Sequence, residues 1–335
     1  MSSSSAPTQP LLFDRILVEK VWGGQRLAES LSLELPFSGP LGETWELSDY
    51  PGKETLICNS EYAGKSMRDL MEDHGAAILG GSKPTADGRF PLLVKLLDAG
   101  DNLSVQVHPP DGKKSPTGIG KTEAWYVLDS ADDASLICGL LPGTEAPKFA
   151  LDAPTSKVRD YLVEHNVAAG DCVYIPAGQT HAICAGTVLV EIQQTSDVTY
   201  RMYDWDRLGL DGVPRETHLQ ESLDVIDYDL LPSNPERREL SSPVYDGECA
   251  ALCGGEYFTM HLHRHGEQGA VVAKKNKAII LVVVSGQGEI TAPNGEFETI
   301  AVKYGDTILI PAYLKGVHVQ STSEDNFDFI RATAS

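Results

Sequence analysis

GDCVYIPAGQTH, residues 170–181, combines a Gly–Asp turn, a short apolar strand and an Ile–Pro–Ala run, and it ends on a histidine. The first three features recur at residues 305–318, GDTILIPAYLKGVH. A repeated pattern of this kind predicts two related β domains. Residues 231–243, rich in proline, serine and charge, separate the two copies. We therefore expect a tail over residues 1–10, a large domain with helical insertions over 11–235 and a smaller β domain over 243–335.

The rest of the sequence predicts a mainly β chain with a few covering helices. Short apolar segments alternate with Gly, Pro and Asp turns, as they do in sandwiches and barrels. The predicted strands lie at residues 90–99, 102–109, 123–130, 134–140, 171–177, 187–205, 257–265, 278–291 and 306–312. Helices are predicted at 66–79, where Ser66 and Asp69 form an N-cap pattern, and at 156–165.

The composition excludes several classes of partner. The net charge is −21, from 27 basic and 48 acidic residues, so nucleic acids and anionic membranes would be repelled. The polar N-terminus is no signal peptide, and no apolar run reaches the ~18 residues of a membrane span. The six cysteines form no CxxC pair, which predicts reduced thiols in a cytoplasmic protein. A small anionic substrate requires a site that concentrates positive charge, and the sequence does not indicate an oligomeric state.

Residues 103–111, LSVQVHPPD, predict a strand with one polar face. Apolar residues alternate with Ser104, Gln106 and His108, so these three side chains point the same way. The spacing Gly-x5-Pro-x-Gly-x2-His of residues 170–181 resembles the second sequence motif of the cupins, which are jelly-roll β-barrels that often hold a metal. In this resemblance Gln106 and His108 take the place of the first motif's histidine pair, and Glu123 takes the place of its carboxylate. The polar face is therefore expected to line a barrel interior.

These donors predict a metal site. A single histidine is more often a surface or core residue than a ligand. His108, Glu123, His181 and Gln106 occur in the expected order on strand-like segments, and together they can hold a divalent ion and leave positions open for substrate. That pattern is typical of a catalytic site, because structural zinc usually has a closed shell.

Residues 189–207, LVEIQQTSDVTYRMYDWDR, carry polar residues at every second position. Glu191, Gln193, Asp197 and Arg201 would share one face if the segment were a single strand. The segment is longer than an ordinary strand, so we expect a bend or a bulge. A solvent-exposed face with charge pairs is the alternative interpretation.

Four long blocks then resemble the short bacterial, type I-like form of mannose-6-phosphate isomerase, a cupin family. They are PLLVKLLDAGDNLSVQVHPPD (91–111), GKTEAWYVLD (120–129), IPAGQTHAI (175–183) and VEIQQTSDVTYRMYDWDR (190–207), with VWGG (21–24) and GETWELS (42–48) beside them. The resemblance implies a zinc-dependent isomerase of carbohydrate metabolism. It would interconvert D-mannose 6-phosphate and D-fructose 6-phosphate through an enediol or enediolate, with one Zn²⁺ per chain or another divalent metal. Pro110 departs from the family's usual His-Pro-Asp-Asp, which leaves the rim shape open.

The resemblance also implies roles for individual residues. His108, Glu123, His181 and Gln106 would hold the metal, Ser104 and Lys121 would bind the phosphate, and Arg201 would be the active-site arginine. Glu191 and Asp197 would line the pocket. Lys95, Lys121 and Arg201 supply the local cations that a sugar phosphate requires. The base that moves the proton stays open between Glu191, Asp197 and a metal-bound hydroxide.

Two further hypotheses stay open. His261, His263 and Glu267 also fit the first cupin motif, and His318 follows the second copy of the repeat, so a second metal site is conceivable. The histidines of an exposed strand are the alternative. The chain as a whole could instead be another metal-dependent cupin enzyme, such as an iron oxygenase, or a cupin that binds a sugar phosphate without turnover.

Overall fold

A computed structural model describes residues 6–238, 240, 248–266, 269–272, 276–322 and 327–335. They form two compact units that are discontinuous in sequence. Unit I contains Leu17–Trp45 and Val94–Arg237, and unit II contains the described residues of Met1–Ile16, Glu46–Leu93 and Arg238–Ser335. The sequence instead predicts the contiguous domains 11–235 and 243–335. Residues 1–5 of the predicted tail lie outside the described residues, and residues 6–10 lead into the strand Leu11–Asp14.

Unit I is built from two β-sheets. In spatial order, the larger sheet consists of Glu236–Arg237, Asp171–Ile175, Glu123–Ser130, Thr187–Gln194, Leu92–Ala99, Ile16–Gly24 and Leu41–Leu47. The smaller sheet consists of Leu162–Asn166, Ser135–Leu140, His181–Ile183, Val105–Val107 and Tyr200–Tyr203. Trp125 of the larger sheet packs in one core cluster with Leu136 and Ile183 of the smaller sheet, so apolar side chains fill part of the space between them.

The strand Val105–Val107 shows why its sequence alternates. Val105 and Val107 are buried in a second core cluster together with Phe149 and Val225. Those two residues belong to the short helices Ala146–Asp152 and Leu219–Val225, which pack on the smaller sheet. Gln106 must point the other way, because side chains alternate along a strand. The polar face therefore points away from this helical cover, as the sequence predicts.

Unit II also contains a pair of sheets. The seven-stranded sheet consists, in spatial order, of Glu248–Gly254, Phe258–His265, Phe327–Ala334, Ile279–Ser285, Thr307–Ile310, Leu11–Asp14 and Leu56–Ile57. The four-stranded sheet consists of Ala270–Val271, His318–Ser321, Gln287–Thr291 and Ile300–Lys303, and Asp49–Tyr50 pairs with Lys53–Glu54 as a separate ribbon. Leu281 and Ile290, one from each sheet, share a core cluster. The predicted fold class, mainly β with two cupin-like domains and a few helices, is confirmed.

The helices follow the sequence only in part. The helix Met67–Leu79 is as predicted, and Ser66 and Asp69 form a full capping box. The predicted helix 156–165 is wrong, because only Ser156–Tyr161 is helical, as a 3-10 helix, and Leu162–Asn166 is a strand. That strand pairs with Ser135–Leu140, so tertiary pairing outweighs the local helical pattern. The helix Arg26–Ser30 was not predicted, nor were Ala146–Asp152 and Leu219–Val225. In the described part of the chain, no helix is long and apolar enough to span a membrane.

Residues 187–205 form two strands rather than one. Thr187–Gln194 lies in the larger sheet of unit I and Tyr200–Tyr203 lies in the smaller sheet. The expected bend is therefore a crossover between sheets at residues 195–199. As a result Glu191 and Arg201, which the sequence placed on one face of a strand, come from different sheets.

Gly178 positions the loop between two of the predicted ligands. Its N–H donates to the carbonyl of His108 at 2.9 Å, and its own carbonyl accepts from the N–H of Asp227 at 3.0 Å. Its φ of +85° lies in the left-handed region that favours glycine. A Cβ at this position would lie 3.2 Å from the carbonyl oxygen of Val225. The Pro-x-Gly turn of the opening motif therefore needs glycine for both conformation and space.

We predict that Gly178→Ala lowers the free energy of unfolding by about 1–2 kcal/mol, the cost of a side chain in the left-handed region, plus a contribution from crowding. Chemical denaturation measures the change. Gly52→Ala is the matched control, because Gly52 has a φ of +78° and a Cβ added there would have nothing within 4 Å. Equal losses in both variants would show that the contacts around Gly178 contribute nothing.

Candidate metal centre

Three predicted ligands converge in the interior of unit I. His108 directly follows the strand Val105–Val107, and His181 begins the strand His181–Ile183, both in the smaller sheet. Glu123 begins the strand Glu123–Ser130 in the larger sheet. The site therefore joins the two sheets at the ends of three strands. Residues held by strands keep their positions better than loop residues do, which suits a ligand set.

The three side chains are close enough to share one ion. Nε2 of His108 lies 3.2 Å from Nε2 of His181. The Glu123 oxygens lie 3.4 Å from Nε2 of His108 and 3.5 Å from Nε2 of His181. All three residues are at most 1% exposed. Within the described ranges, this is the only cluster of His, Cys, Asp or Glu with metal-ligand spacing.

The protonation of the histidines fits a cation. Nδ1 of His181 lies 2.8 Å from the carbonyl oxygen of Gln179 and donates to it, which leaves Nε2 as an unprotonated lone pair. Burial and the nearby Lys121 ammonium lower the pKa of His108 to about 3, and burial also lowers the pKa of His181. Both rings are therefore neutral and turn Nε2 lone pairs toward a carboxylate. Such groups repel one another unless a cation lies between them, so the donor set fits a divalent metal.

Gln106 lies next to this triad. It is opposite His181 in the pairing of two strands, and its amide nitrogen is 3.3 Å from Nε2 of His181. Its amide oxygen accepts a hydrogen bond of 3.2 Å from Ser104. Coordination through the amide oxygen requires a rotation of the Gln106 amide group by about 180°, which exchanges its oxygen and nitrogen and leaves the rest of the side chain in place. Gln106 therefore stays a proposed fourth ligand.

A cavity of about 280 Å³ in unit I is lined by all of the remaining predicted site residues. These residues are Lys95, Ser104, Lys121, Glu191, Asp197 and Arg201. Gln106 also lines the cavity and contacts His181, which connects the cavity to the triad. The structure thus brings together the residues that the sequence picked from four separate blocks.

Lysines and carboxylates alternate across the cavity wall. Nζ of Lys121 is 2.8 Å from Glu123 and 3.8 Å from Glu191. Nζ of Lys95 is 3.1 Å from Asp197, 3.7 Å from Glu191 and 3.8 Å from Glu43. Burial opposes the charge of both lysines, but the neighbouring carboxylates outweigh it and raise both pKa values. Both ammonium groups are therefore charged and already paired.

Glu191 has the properties of a proton carrier at neutral pH. Burial raises its pKa to about 7, the charge of Glu123 adds to the rise, and Lys121 and Lys95 oppose it. The indole N–H of Trp125 donates to Oε2 of Glu191 at 3.2 Å and fixes the carboxyl group. A group with a pKa near the working pH can both take and return a proton.

Sequence reasoning missed Glu43 and Lys20, which also line the cavity. Glu43 is 3.0 Å from Nζ of Lys20, and it accepts a hydrogen bond of 2.8 Å from the indole of Trp45. Burial alone would raise its pKa, but Lys95 and Lys20 outweigh burial and lower it to about 2. The block GETWELS contained the signal, because Glu43 and Trp45 have the same parity on a strand. Arg215 and His218 also line the cavity, and no local pattern marks them.

The hypothetical second metal site falls in unit II. His261, His263 and His265 lie on the strand Phe258–His265. The His263 ring stacks on Phe329 with centroids 5.3 Å apart, and its Nε2 lies 3.4 Å from Sγ of Cys249. Glu267, the predicted carboxylate, lies outside the described residues. The second site therefore stays a hypothesis on the histidines alone.

Comparisons with known proteins agree on one family. Residues 12–133 match the family model "Phosphomannose isomerase type I, catalytic domain". Mannose-6-phosphate isomerase ManA of Bacillus subtilis is 34% identical over 91% of this chain and 93% of its own length. The mannose-6-phosphate isomerase of Streptococcus mutans is also 34% identical, over 92% of this chain and 94% of its own length.

Solved structures extend the match to the fold. The crystal structure of a mannose 6-phosphate isomerase from Bacillus subtilis matches with a TM-score of 0.84 and 29% identity, covering 96% of this chain and 99% of that chain. A phosphomannose isomerase from Salmonella typhimurium shares the fold with a TM-score of 0.72 at 16% identity, covering 97% of this chain and 99% of that chain. On the full-length sequence matches, this chain belongs to the mannose-6-phosphate isomerase family.

Proposed function

We propose that this chain interconverts D-mannose 6-phosphate and D-fructose 6-phosphate, using one divalent metal ion, Zn²⁺ in the first instance, held in unit I. The observation that supports this most directly is the buried His108–Glu123–His181 triad beside a cavity lined with paired cations and carboxylates. Family membership supplies the substrate pair, since the relatives over the whole chain are named mannose-6-phosphate isomerases.

His108, Glu123 and His181 would hold the metal, with Gln106 as the fourth ligand. A divalent ion there would supply Lewis-acid stabilisation of negative charge on the substrate oxygens. With two neutral imidazoles and one carboxylate as ligands, a bound divalent ion would keep a net positive charge and would favour negative charge on the substrate. With His108, Glu123 and His181 as its ligands, a catalytic zinc site would keep a further position for Gln106 or for a substrate oxygen.

Glu191 is the proposed base. Isomerisation moves a proton between carbons 1 and 2, so the same group must take it from one carbon and return it to the other. The pKa of Glu191 near 7 suits both steps, and its carboxyl group lies beside Lys121, which contacts the triad. Asp197 lies 3.1 Å from Nζ of Lys95, whereas Glu191 lies 3.7 Å from it. Asp197 is therefore proposed to hold that ammonium group in place rather than to take the proton.

The other predicted residues have supporting roles. Lys121 lies 3.1 Å from Nε2 of His108, where its charge can stabilise the developing oxyanion. Ser104 lines the cavity two residues before Gln106 and can bind a substrate hydroxyl. Pro110, the departure from the family pattern, is exposed and leaves His108 in contact with the other ligands.

The cellular setting follows from the same proposal. All six cysteines are free thiols, which favours a reducing compartment such as the cytoplasm. A cupin oxygenase would not need the paired lysines of the cavity. A binding protein would not need a buried carboxyl group with a pKa near 7 beside the metal ligands. Both alternatives are therefore less well supported than the isomerase.

We predict that chelation abolishes the conversion of mannose 6-phosphate to fructose 6-phosphate and that added zinc restores it. Glu123→Gln keeps the shape of the side chain but removes the ligand charge, so its bound metal should fall from near-stoichiometric to background. Elemental analysis by mass spectrometry measures the metal. Glu43→Gln is the matched control, because Glu43 is a buried carboxylate of the same cavity that contacts Lys20 and Lys95 rather than the triad. Full metal content in Glu123→Gln would contradict the ligand assignment.

We further predict that Glu191→Gln lowers kcat by about 10²–10⁴-fold, the usual contribution of a general base, while the metal content stays at the wild-type level. A base acts in its deprotonated form, so wild-type kcat should rise with pH through about 7 and then level off. The residual activity of the variant should lack this rise. Steady-state kinetics across pH measures both effects.

Asp197→Asn is the comparison for this experiment, because it removes the other candidate carboxylate. It should reduce activity less than Glu191→Gln and keep the rise near pH 7. A loss of the rise in Asp197→Asn, with the rise retained in Glu191→Gln, would assign the base to Asp197 instead.

A further inference from the structure

We propose that the phosphate group of the substrate is bound by Arg201 and Arg215, with His218 beside them, and not by the lysines near the metal ligands. This inference rests on the proposed function and names the residues that would recognise the phosphate. We call Arg201, Arg215 and His218 the phosphate subsite. All three line the cavity of unit I, and Arg215 and His218 have no role in the proposal above.

The position of Lys121 argues against a phosphate there. Its ammonium lies 2.8 Å from Glu123 and 3.1 Å from His108, so it contacts two members of the triad. A phosphate on Lys121 would therefore occupy the place that the reacting oxygens need. The phosphate is on carbon 6, at the opposite end of the substrate from carbons 1 and 2. One small region cannot hold both ends.

Lys95 is also a poor phosphate ligand. It is 2% exposed, and its ammonium already faces Asp197, Glu191 and Glu43 within 3.8 Å. A dianionic phosphate brought to this point would meet three carboxylates around one cation. Their repulsion would exceed the attraction of a single ammonium group.

The phosphate subsite has the opposite balance of charge. Asp204 is 7% exposed and is shared by two guanidinium groups, because Arg215 contacts it at 2.5 Å and Arg207 at 2.9 Å. Arg201 is a third guanidinium in the same field, and its pKa is lowered first by burial and then by the charge of Arg215. Arg207 is also paired with Asp101, at 3.1 Å, and the side chain of Glu216 is 84% exposed, so Asp204 is the buried carboxylate that faces both Arg201 and Arg215. The excess positive charge suits a dianion.

Donors at the subsite remain available for a ligand. The Nε–H of Arg201 is buried and has no hydrogen-bond partner among the described residues, while its Nη1 donates to the carbonyl of Glu216 at 2.7 Å. Arg215 uses Nε and Nη2 on Asp204, at 2.7 and 2.5 Å, which leaves Nη1. An unpaired buried N–H is costly, and a phosphate oxygen would satisfy it.

His218 adds a ring N–H donor. The backbone N–H of Arg201 donates to Nδ1 of His218 at 3.4 Å, and the backbone N–H of His218 donates to the carbonyl of Arg201 at 2.7 Å. A ring that accepts at Nδ1 carries its proton on Nε2. Nε2 is thus a donor on a ring that lines the cavity, and it lies 3.8 Å from a carboxylate oxygen of the exposed Glu216 side chain.

The strand register separates the two ends of the substrate. His181 is opposite Gln106 on the neighbouring strand, and Gln106 is opposite Arg201 on the next one. Two strand spacings place the backbones of His181 and Arg201 about 10 Å apart. The metal ligands and the arginine therefore stand on either side of Gln106, as an extended sugar phosphate requires.

The test compares Arg215→Gln with Arg207→Gln in the metal-loaded protein. Both substitutions remove one guanidinium group from Asp204, but Arg215 lines the cavity and Arg207 pairs with Asp101 as well. Calorimetry with inorganic phosphate measures binding without turnover. We expect Arg215→Gln to weaken phosphate binding by at least about 10-fold, the loss of a charge-assisted pair, and to raise KM for mannose 6-phosphate similarly. Arg207→Gln should change both by less than about 2-fold.

Several results would overturn the subsite. One is an equal weakening of phosphate binding in Arg215→Gln and Arg207→Gln, and another is a weakening in Lys121→Gln alone. A third is phosphate binding that survives in Arg215→Gln and disappears on chelation, which would place the anion on the metal. Arg215→Lys keeps a cation beside Asp204, so it should fold even if Arg215→Gln does not. A lysine ammonium cannot hold Asp204 and reach the phosphate at two separate points as the guanidinium can, so phosphate binding should still weaken. Phosphate binding that depends on Arg215 in a protein without isomerase activity would contradict the proposed function and leave the subsite intact.

Discussion

The burial of the Glu123 carboxylate is the constraint on which the rest of the site depends. A charge that is fully removed from water must be matched by nearby cations or by a metal, or it takes up a proton. Glu123 meets this condition through the Lys121 ammonium at 2.8 Å, because the two imidazoles within 3.5 Å are neutral. Burial opposes its charge, yet the Lys121 ammonium outweighs burial and lowers the pKa of Glu123. Glu123 therefore stays an anion and a competent ligand in a dry interior.

The same constraint applies to the other carboxyl groups of the cavity and gives them different pKa values. Lys121 is shared between Glu123 and Glu191, so the carboxylate that receives the closer contact keeps its charge. Glu191 is left at 3.8 Å and close to a second negative charge, and its pKa rises to about 7. Glu43, with Lys20 at 3.0 Å, falls to about 2. The three buried carboxyl groups thus have different pKa values because lysines lie at different distances: Glu123 and Glu43 stay ionised, and of the three only Glu191 is suited to exchange a proton at neutral pH.

The sequence predicted those parts of the site that depend on short-range pattern. Gln106 lies in the strand Val105–Val107, Ser104 and His108 flank it, and Glu123 and His181 begin two other strands, so a period-two pattern was enough to select them. The domain segments were not predictable in the same way, because 46–93 belongs to unit II through contacts that are distant in sequence. Arg201 lines the same cavity as Glu191, but the two residues do not share one strand face, since the chain changes sheets at residues 195–199. Arg215 and His218 lie between the strand Tyr200–Tyr203 and the helix Leu219–Val225, in a segment without regular secondary structure. The direction of their side chains therefore could not be predicted from a repeating pattern.

The Gly–Asp, strand, Ile–Pro–Ala motif occurs in both units, but among the described residues a ligand cluster is found only in unit I. In both units the motif supplies a strand, Asp171–Ile175 in one and Thr307–Ile310 in the other, and a histidine begins a later strand, His181 or His318. Gly178 adopts a φ of +85° and lets its N–H reach the carbonyl of His108. Its counterpart is Tyr313, and His318 comes two residues later in the motif than His181 does. Both histidines begin a strand, so the turn that precedes the strand decides where the ring lies relative to other donors. The candidate metal centre of unit I therefore depends on a glycine and on the length of one turn, added to a scaffold that both units share.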